Sequence, residues 1–343
     1  MLCPGFAESE ADSSCTPYLQ DYFLGLKRLH PDWRISIVAI QYPFQKGKYL
    51  WNGLEVNALG GKNRKLNRFK TWRKVQKVVA ELHRGQKIDV LHSFWLREAA
   101  YLGAKMGANL GVKHIASALG QDIGVKNRYL KGLADTESIF TCQTQEAMEA
   151  LSAALPKHKL HLFRFGIDPS KFSVPQGKTR EIDLLAVGSL VAVKRHDRFV
   201  RVVNNLRRTM PQLKAVLVGE GELRGEIEAQ IKALGLENTL ELKGQVPREE
   251  VFELMKSAKV LVHTSASEGL GYVYSEALAC GCHLVTTPVG VYEASEKWRV
   301  SQHTIGLAEA AKSFLTNPVD FEGRIHMQVA DTVATFSKIY FGE

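Results

Sequence analysis

Short apolar segments alternate with single helix-like segments along this chain, and they do so in two blocks. In the first block the apolar segments are 35–40, 88–92, 114–118, 138–142 and 160–163. In the second block they are 183–187, 214–218, 239–242, 260–263 and 283–286. Strands that are each followed by one helix form parallel sheets with helices on both faces. The pattern therefore predicts an α/β fold with two Rossmann-like, doubly wound parallel-sheet domains that face a cleft.

A polar stretch around 169–179, which includes Pro175 and Gly177, separates the two blocks. We predict a first domain over residues 1–170 and a second domain over residues 171–320. The segment 321–343 has helical spacing but no strand after it, so we expect it to pack back on the first domain. A length of 343 residues agrees with two domains, because single cores rarely grow that large.

Composition and residue spacing exclude several kinds of protein. No apolar run reaches the roughly 18 residues of a membrane-spanning helix, and no signal segment opens the chain. The five cysteines lack framework spacing, so we predict a cytoplasmic protein with reduced thiols, in which Cys280 and Cys282 are buried packing residues. The eleven histidines form no ligand cluster, so no metal is predicted.

The formal net charge of +9 is concentrated in one segment. Between Lys62 and Lys77 lie eight lysines and arginines, no acid, and apolar residues at helical spacing, which together predict a basic amphipathic helix. One interpretation is the solvated face of a domain helix. The other is peripheral binding to the anionic inner face of a membrane, where each Lys or Arg contributes about 1 kcal/mol. No nucleic-acid-binding motif accompanies the segment, so no nucleic acid is predicted.

Glycines and charged residues follow the strands of the second block, where ligands of open α/β sheets bind. In chain order these residues are Gly188, Ser189, Lys194, Arg195, Gly219, Gly244 and Val246. Glycines allow backbone N–H groups to approach an anion, while helix N-termini and a lysine supply positive charge. We therefore predict that this edge of the second sheet binds a nucleotide diphosphate.

Two glutamates, Glu268 and Glu276, bracket the loop after the fourth strand of the second block and the helix that follows. Nearly every other residue of 272–282 is apolar or small, so this helix should be buried. A carboxylate in a buried helix is costly unless a polar or charged group meets it. The pair therefore predicts a functional site.

In order and spacing these residues resemble the GT-B glycosyltransferases, in particular the retaining family 4 group. The resemblance rests on 185–190, Lys194, 216–221, 244–247 and the E-x7-E spacing of Glu268 and Glu276. It covers the second domain closely and the first domain loosely. It implies an enzyme that transfers a hexosyl unit from a nucleotide-diphosphate sugar, such as a UDP-sugar, to a hydroxyl acceptor, with retention of configuration. No cofactor is predicted, and the absence of a D-x-D sequence fits a reaction that needs no metal.

The resemblance also implies roles for single residues. Glu276 would bind the ribose of the donor, and Glu268 would contact the donor sugar. Lys194 would neutralise the leaving diphosphate, and the main chain near Gly244 to Val246 would meet the base. Backbone groups of the loop and helix start would hold the sugar and phosphate, namely those of Gly269, Leu270, Gly271, Tyr272 and Val273.

The chain departs from the family pattern in three places. Ser189 stands where an arginine is usual, and Arg195 is the candidate to supply that charge. Only His92 remains of a histidine pair, and we consider it either a catalytic group or a core histidine. The usual opening strand and Gly-Gly loop are reduced to residues 1–6. Gly5 in this segment and Asp122 in the first domain are candidates for contact with sugar or acceptor.

Two other classes of function stay open. Gly219-Glu220-Gly221-x-x-x-Gly225 is close to a dinucleotide fingerprint, although it is one residue too long and follows a second strand, so an NAD(P)-dependent oxidoreductase is one alternative. A non-catalytic nucleotide-sugar-binding module is the other. The resemblance and the basic segment together favour a glycosyltransferase whose acceptor is a glycan or lipid-linked glycan of the cell envelope.

Overall fold

The computed structural model describes residues 1–64, 68–120, 122–124, 127–172, 174, 177, 179–291 and 295–342. Pro175 of the expected linker and residues 65–67 of the basic segment lie outside these ranges. The chain divides into two compact units, one made of Met1–Gly166 with Val329–Glu343 and the other of Ile167–Gln328. Each unit has one mainly parallel sheet with helices between its strands, so the predicted α/β class with two parallel-sheet domains is confirmed.

The first unit has an eight-stranded sheet. Its strands are β1 Leu2–Gly5, β2 Ser36–Tyr42, β3 Gly47–Trp51, β4 Leu54–Ala58, β5 Val90–Phe94, β6 Lys113–Ser117, β7 Ile139–Cys142 and β8 Leu160–Leu162. Its helices are α1 Pro17–Leu29, α2 Arg68–Gly85, α3 Glu98–Leu110, α4 Tyr129–Leu133, α5 Gln145–Ala154 and, near the end of the chain, α11 Val329–Phe341. The strand order is β3-β4-β2-β1-β5-β6-β7-β8, and neighbouring strands are parallel except in the pair β3 and β4.

The antiparallel hairpin of β3 and β4 interrupts the alternation of strands and helices. Its turn is Asn52-Gly53, and both residues have positive φ, 47° and 73°. Two consecutive residues with positive φ make a tight hairpin turn whose twist matches that of the strands, and Asn-Gly is a favoured pair for it. Tyr49 pairs with Val56 at the middle of the ladder. The hairpin therefore adds a two-stranded edge to an otherwise parallel sheet.

The basic segment forms α2 from Arg68 onward. Thr71, Val75 and Val79 are its buried residues, while the lysines and arginines between them are exposed. Phe69 is 72% exposed, so it does not belong to the buried stripe. Among the helices that the structure describes, none combines the length and apolar character needed to cross a membrane.

The second unit has a six-stranded sheet in which every pair is parallel. Its strands are β9 Ile182–Val187, β10 Ala215–Val218, β11 Leu240–Gly244, β12 Ala258–His263, β13 His283–Thr286 and β14 Trp298–Val300. Its helices are α6 His196–Arg207, α7 Arg224–Ala233, α8 Arg248–Ser257, α9 Tyr272–Ala279 and α10 Thr304–Thr316. Cys280 and Cys282 are buried and unbridged, as predicted.

The strand order β11-β10-β9-β12-β13-β14 shows where the second unit can bind a ligand. The chain runs outward from β9 through β10 to β11, and then crosses to β12 on the other side of β9. At such a reversal the loops after the two central strands diverge and leave a crevice at their carboxyl ends. The loops that follow β9 and β12 therefore form the wall of the expected site.

The last helix belongs to the first unit through buried contacts. The Tyr340 hydroxyl of α11 lies 2.6 Å from His92 Nδ1 and 2.7 Å from the Tyr22 hydroxyl. His92 Nε2 in turn lies 2.7 Å from the Ser117 hydroxyl. Buried polar groups stabilise a fold only when they find partners, and this chain of hydrogen bonds provides them. The helix begins at Val329, while residues 321–328 lie in the second unit.

Candidate functional site

The loops after β9 and β12 are tied to each other by their backbones. Ala266 N donates to Val193 O at 2.7 Å, and the Ser265 hydroxyl donates to the same oxygen at 3.0 Å. The Thr264 hydroxyl donates to Lys194 O at 3.1 Å. These bonds hold the short helical turn that ends at Lys194 against the loop that leads to Glu268. The two loops therefore form a rigid corner at the switch in strand order.

Lys194 and Glu268 meet at this corner. Lys194 Nζ lies 2.5 Å from Glu268 Oε1, and His263 Nε2, at the end of β12, lies 2.8 Å from the same oxygen. The side chains of Lys194, Glu268 and His263 are 24%, 14% and 3% exposed. Burial alone would raise the pKa of Glu268, but the hydrogen bond from His263 and the charge of Lys194 outweigh it and lower the pKa to about 2. Glu268 is therefore ionised at neutral pH, and His263 donates to it through Nε2.

Glu276 lies in the second turn of α9, with its side chain 10% exposed. The guanidinium of Arg248, the first residue of α8, donates to Glu276 Oε1 from Nε at 3.0 Å and from Nη2 at 2.7 Å. The same guanidinium carbon lies 5.1 Å from the Phe252 ring and 5.6 Å from the Tyr272 ring. The prediction that α9 is buried is confirmed, and the charged group that meets its carboxylate is Arg248.

Neither His263 nor Arg248 was predicted from the sequence as a site residue. In the sequence, His263 is only the last residue of the apolar segment 260–263, and Arg248 lies outside the predicted strands. Both lie next to recognisable features, since His263 comes five residues before Glu268 and Arg248 directly follows Gly244 to Pro247. Spacing alone does not show which cation reaches which acid, and the fold supplies that pairing.

Two glycines of the dinucleotide-like pattern are explained by loop packing. A Cβ atom at Gly219 would lie 1.9 Å from Gly188 O, and one at Gly221 would lie 2.5 Å from Leu190 O. Leu190 N donates to Glu220 O at 2.8 Å, so the loops after β9 and β10 run in direct contact. Only glycine allows this approach. The pattern therefore has a structural cause that requires no dinucleotide.

The structure does not bring Arg195 into the Lys194–Glu268 contact. Arg195 Nε donates to Asp197 Oδ1 at 3.0 Å on the exposed start of α6, and this partner raises the pKa of Arg195. Ser189 lies in the loop after β9, and Gly244 and Val246 lie at the carboxyl end of β11, two strands away. Gly269 and Leu270 lead to Gly271, which precedes the first turn of α9 with Tyr272 and Val273.

Three candidates lie in the first unit. His92 is fully buried, both of its ring nitrogens are hydrogen bonded, and burial holds its pKa well below the usual value, which is the environment of a core histidine. Asp122 is also fully buried, and its carboxylate accepts from Leu96 N at 2.6 Å and from Leu119 N at 3.0 Å. Burial raises the pKa of Asp122. Gly5 ends β1 beside Tyr42.

Residues 169–302, which include Lys194, Glu268 and Glu276, match the family described as Glycosyl transferases group 1. A phosphatidylinositol N-acetylglucosaminyltransferase component of Arabidopsis thaliana is 25% identical over 224 residues, which are 62% of this chain and 50% of the relative. Glycogen synthase of Mycobacterium tuberculosis is 26% identical over 221 residues, 61% of this chain and 52% of the relative. The chain thus spans about half the length of these relatives, and 27% of the corresponding GPI3 protein of Saccharomyces cerevisiae.

Two solved structures have the same arrangement of elements. Sucrose-phosphate synthase from Thermosynechococcus elongatus superposes with a TM-score of 0.73 at 15% identity, over 99% of this chain and 93% of that one. HepE of Anabaena, in complex with UDP and glucose, superposes with a TM-score of 0.71 at 16% identity, over 99% and 95%. At such low identity the likeness shows the fold.

Proposed function

We propose that this chain is a retaining, metal-independent glycosyltransferase, because residues 169–302 match the glycosyl transferases group 1 family and the chain has the fold of the GT-B glycosyltransferases. It moves a hexosyl unit from a nucleotide-diphosphate sugar to a hydroxyl acceptor. The observation that carries the proposal is the corner at the β9–β12 switch, where Lys194 and Glu268 form a partly buried ion pair in the loops that precede α6 and α9. The absence of a D-x-D sequence supports a metal-independent reaction.

The corner suits the departure of a diphosphate. The first backbone N–H groups of α9 have no partner within the helix and carry partial positive charge, which favours an anion at that point. Lys194 adds a full charge, and Glu268 holds its ammonium in place at 2.5 Å. Charge that is already oriented when the glycosidic bond breaks stabilises the transition state more than mobile charge does. Lys194 and the start of α9 therefore receive the diphosphate, and Glu268 contacts the sugar.

Glu276 is assigned to the ribose. Arg248 holds its carboxylate in place, and carboxylate oxygens accept hydrogen bonds from hydroxyl groups. Glu276 lies about one helical turn after the first residue of α9, and the N-terminus of this helix is the proposed site of the phosphates. A nucleotide that runs from Glu276 to Lys194 places its sugar at Glu268. The UDP bound to the structurally similar HepE supports a uridine nucleotide as the donor.

The acceptor in this proposal is a glycan or lipid-linked glycan of the cell envelope. Its support is α2, whose exposed Lys70, Arg73, Lys74 and Lys77 lie beside the exposed ring of Phe69. Basic residues next to an exposed aromatic side chain favour the surface of an anionic membrane. The enzyme would then work at the cytoplasmic face of the membrane, where a lipid-linked acceptor presents its hydroxyl.

A donor panel tests the proposal. UDP-glucose, UDP-N-acetylglucosamine and GDP-mannose are each incubated with the full chain and with cell-envelope glycans, with and without EDTA. We expect release of the nucleoside diphosphate from one donor, stimulation by an acceptor, no effect of EDTA, and an anomeric configuration that NMR of the product shows to be retained. An inverted anomeric configuration or a requirement for metal would contradict the proposed mechanism. Turnover of NAD(P)H without turnover of any sugar nucleotide would contradict the proposed function.

A further inference from the structure

His196 is a buried histidine of the second unit that the proposed mechanism does not use. It is the first residue of α6, directly after the turn that carries Lys194, and it is 5% exposed. In the part of the chain that the structure describes, no polar atom meets either ring nitrogen of His196 in hydrogen-bond geometry. A neutral imidazole has one N–H donor and one acceptor nitrogen. Because buried polar groups nearly always have partners, this ring requires an explanation.

The ring of His196 lies against the loop after β9. A Cβ atom at Gly188 would lie 3.6 Å from His196 Nε2 and 3.7 Å from Lys194 Cδ, so both side chains flank this glycine. Burial lowers the pKa of His196 to about 4, and the charges of His263 and Lys194 act in the same direction. The main chain of Ser189 and Gly188 acts in the opposite direction, so its oxygen atoms lie close to the ring. At neutral pH His196 is therefore an uncharged ring beside main-chain acceptors.

The peptide between Gly188 and Ser189 has a defined orientation. A Cβ atom at Gly219 would lie 1.9 Å from Gly188 O, so this oxygen points inward to the loop after β10. In a planar trans peptide the N–H points away from the C=O, and the N–H of this peptide belongs to Ser189, which is exposed. Gly188 N donates to Val218 O at 3.0 Å and fixes the start of the loop. The Ser189 N–H therefore points outward, on the side of the loop where ligands of such a sheet bind.

A hydrogen bond to the inner oxygen strengthens the outer N–H as a donor. Hydrogen bonds that share a peptide group polarise each other, so a ring N–H that donates to Gly188 O makes the Ser189 N–H a better donor to an anion. The same bond holds the peptide in one orientation, which reduces the entropy lost on binding. His196 acts in this way from behind the loop, because its ring nitrogens are buried and do not reach a ligand in solvent.

We propose that His196 is a positioning residue of the donor site. When the diphosphate accepts a hydrogen bond from the Ser189 N–H, a ring N–H of His196 donates to the main-chain oxygen of Gly188 or Ser189 and holds the loop in the binding position. The inference rests on the proposed function, because its ligand is the diphosphate of that donor. It gives Lys194 a main-chain partner in binding the diphosphate, and it gives the buried ring a role.

The variants His196→Leu and His196→Gln test this role, with UDP and GDP as the probes. Leucine has a similar volume and no polar atom. Because the ring has no hydrogen bond to lose, His196→Leu should leave the Tm of the protein without nucleotide within about 2 °C or raise it. It should raise the Kd of the nucleotide that binds the wild-type protein about tenfold. The amide of glutamine can donate to the same oxygen, so His196→Gln should restore most of the affinity. Calorimetric titration and a thermal scan measure the two quantities.

The matched control is His283→Leu in the same unit. His283 is fully buried, with Nδ1 at 3.2 Å from Lys259 O, and its Nε2 accepts from Val319 N at 3.2 Å. Because this variant loses hydrogen bonds that the structure shows, it should lower the Tm and leave the Kd of the nucleotide unchanged. If His196→Leu behaves in the same way, the histidine is structural and the proposal is overturned.

Steady-state kinetics separate this proposal from the proposed function. His196→Leu should raise the KM of the donor about tenfold and change kcat by less than about threefold, since the loop binds the diphosphate before and during the reaction. Turnover with the wild-type KM in His196→Leu would overturn the positioning role and leave the glycosyltransferase standing. Weaker UDP binding in His196→Leu, in a protein that turns over no donor, would support the positioning role and refute the enzyme. If the wild-type protein binds neither UDP nor GDP, both proposals fall.

Discussion

Replacing Lys194 by methionine is expected to lower kcat about 10²- to 10³-fold while the KM of the donor changes little. Methionine keeps most of the length of the side chain and removes its charge. The loss falls on kcat because the leaving diphosphate gains charge only as the glycosidic bond breaks, and one preoriented donor at such a point is worth this factor. Initial rates of nucleoside diphosphate release over a range of donor concentrations give both constants.

The matched control for this variant is Lys232→Met, which removes an exposed lysine of α7. It should leave both constants unchanged. In Lys194→Met the pKa of Glu268 should rise from its value of about 2, since one of the two groups that lower it is gone. An unchanged kcat in Lys194→Met would mean that the diphosphate leaves elsewhere, and the assignment of the corner would then be wrong.

Replacing Arg248 by methionine is expected to destabilise the second unit by about 3–5 kcal/mol, because it leaves the charge of a buried carboxylate without its guanidinium. The pair is only 8% and 10% exposed, so water cannot replace the lost partner. The KM of the donor should rise as well, since Glu276 is then no longer held in the position that we propose for ribose binding. Urea titration followed by hydrogen exchange in peptides of α8 and α9 measures the stability of this unit by itself.

The double variant Arg248→Met with Glu276→Leu separates stability from function. Replacing both members of a buried ion pair by apolar side chains is often neutral or stabilising, so most of the lost stability should return. Donor binding should not return, because the carboxylate is absent. Arg224→Met, which breaks an exposed pair with Glu220, serves as control and should change little. If the single and the double variant lose the same stability, the ion pair is not the cause.

The alternation of short strands and helices predicted both sheets because each strand of a parallel sheet is a nearly continuous apolar run. The hairpin of β3 and β4 was not predicted from the sequence, although Asn52-Gly53 is a turn signal. Its strands have exposed positions, among them Leu50 at 70%, so they do not form the apolar runs that mark the other strands. The short β14 and the helix α10 were also missed.

The sequence indicated which loops carry the candidate residues, but not which side chains contact each other. The glycines and the E-x7-E spacing place candidate residues after β9 and β12, and the structure shows that these two strands are neighbours. The partners of the two acids are 74 and 28 residues away, and no local pattern ties Lys194 to Glu268 or Arg248 to Glu276. For His92, the sequence did not show whether the side chain is buried, because a histidine at a strand end has the same local sequence whether it faces solvent or the core. Only packing against Tyr340, 248 residues later, distinguishes the two.

A crystal structure of the protein soaked with UDP-glucose, or with the donor that the panel selects, tests this account most directly. We expect ribose oxygens within about 3 Å of the Glu276 carboxylate and the diphosphate between Lys194 Nζ and the first N–H groups of α9. The hexose should then lie against Glu268. A nucleotide bound at any other place, with the β9–β12 corner empty, would contradict the assignment of both glutamates.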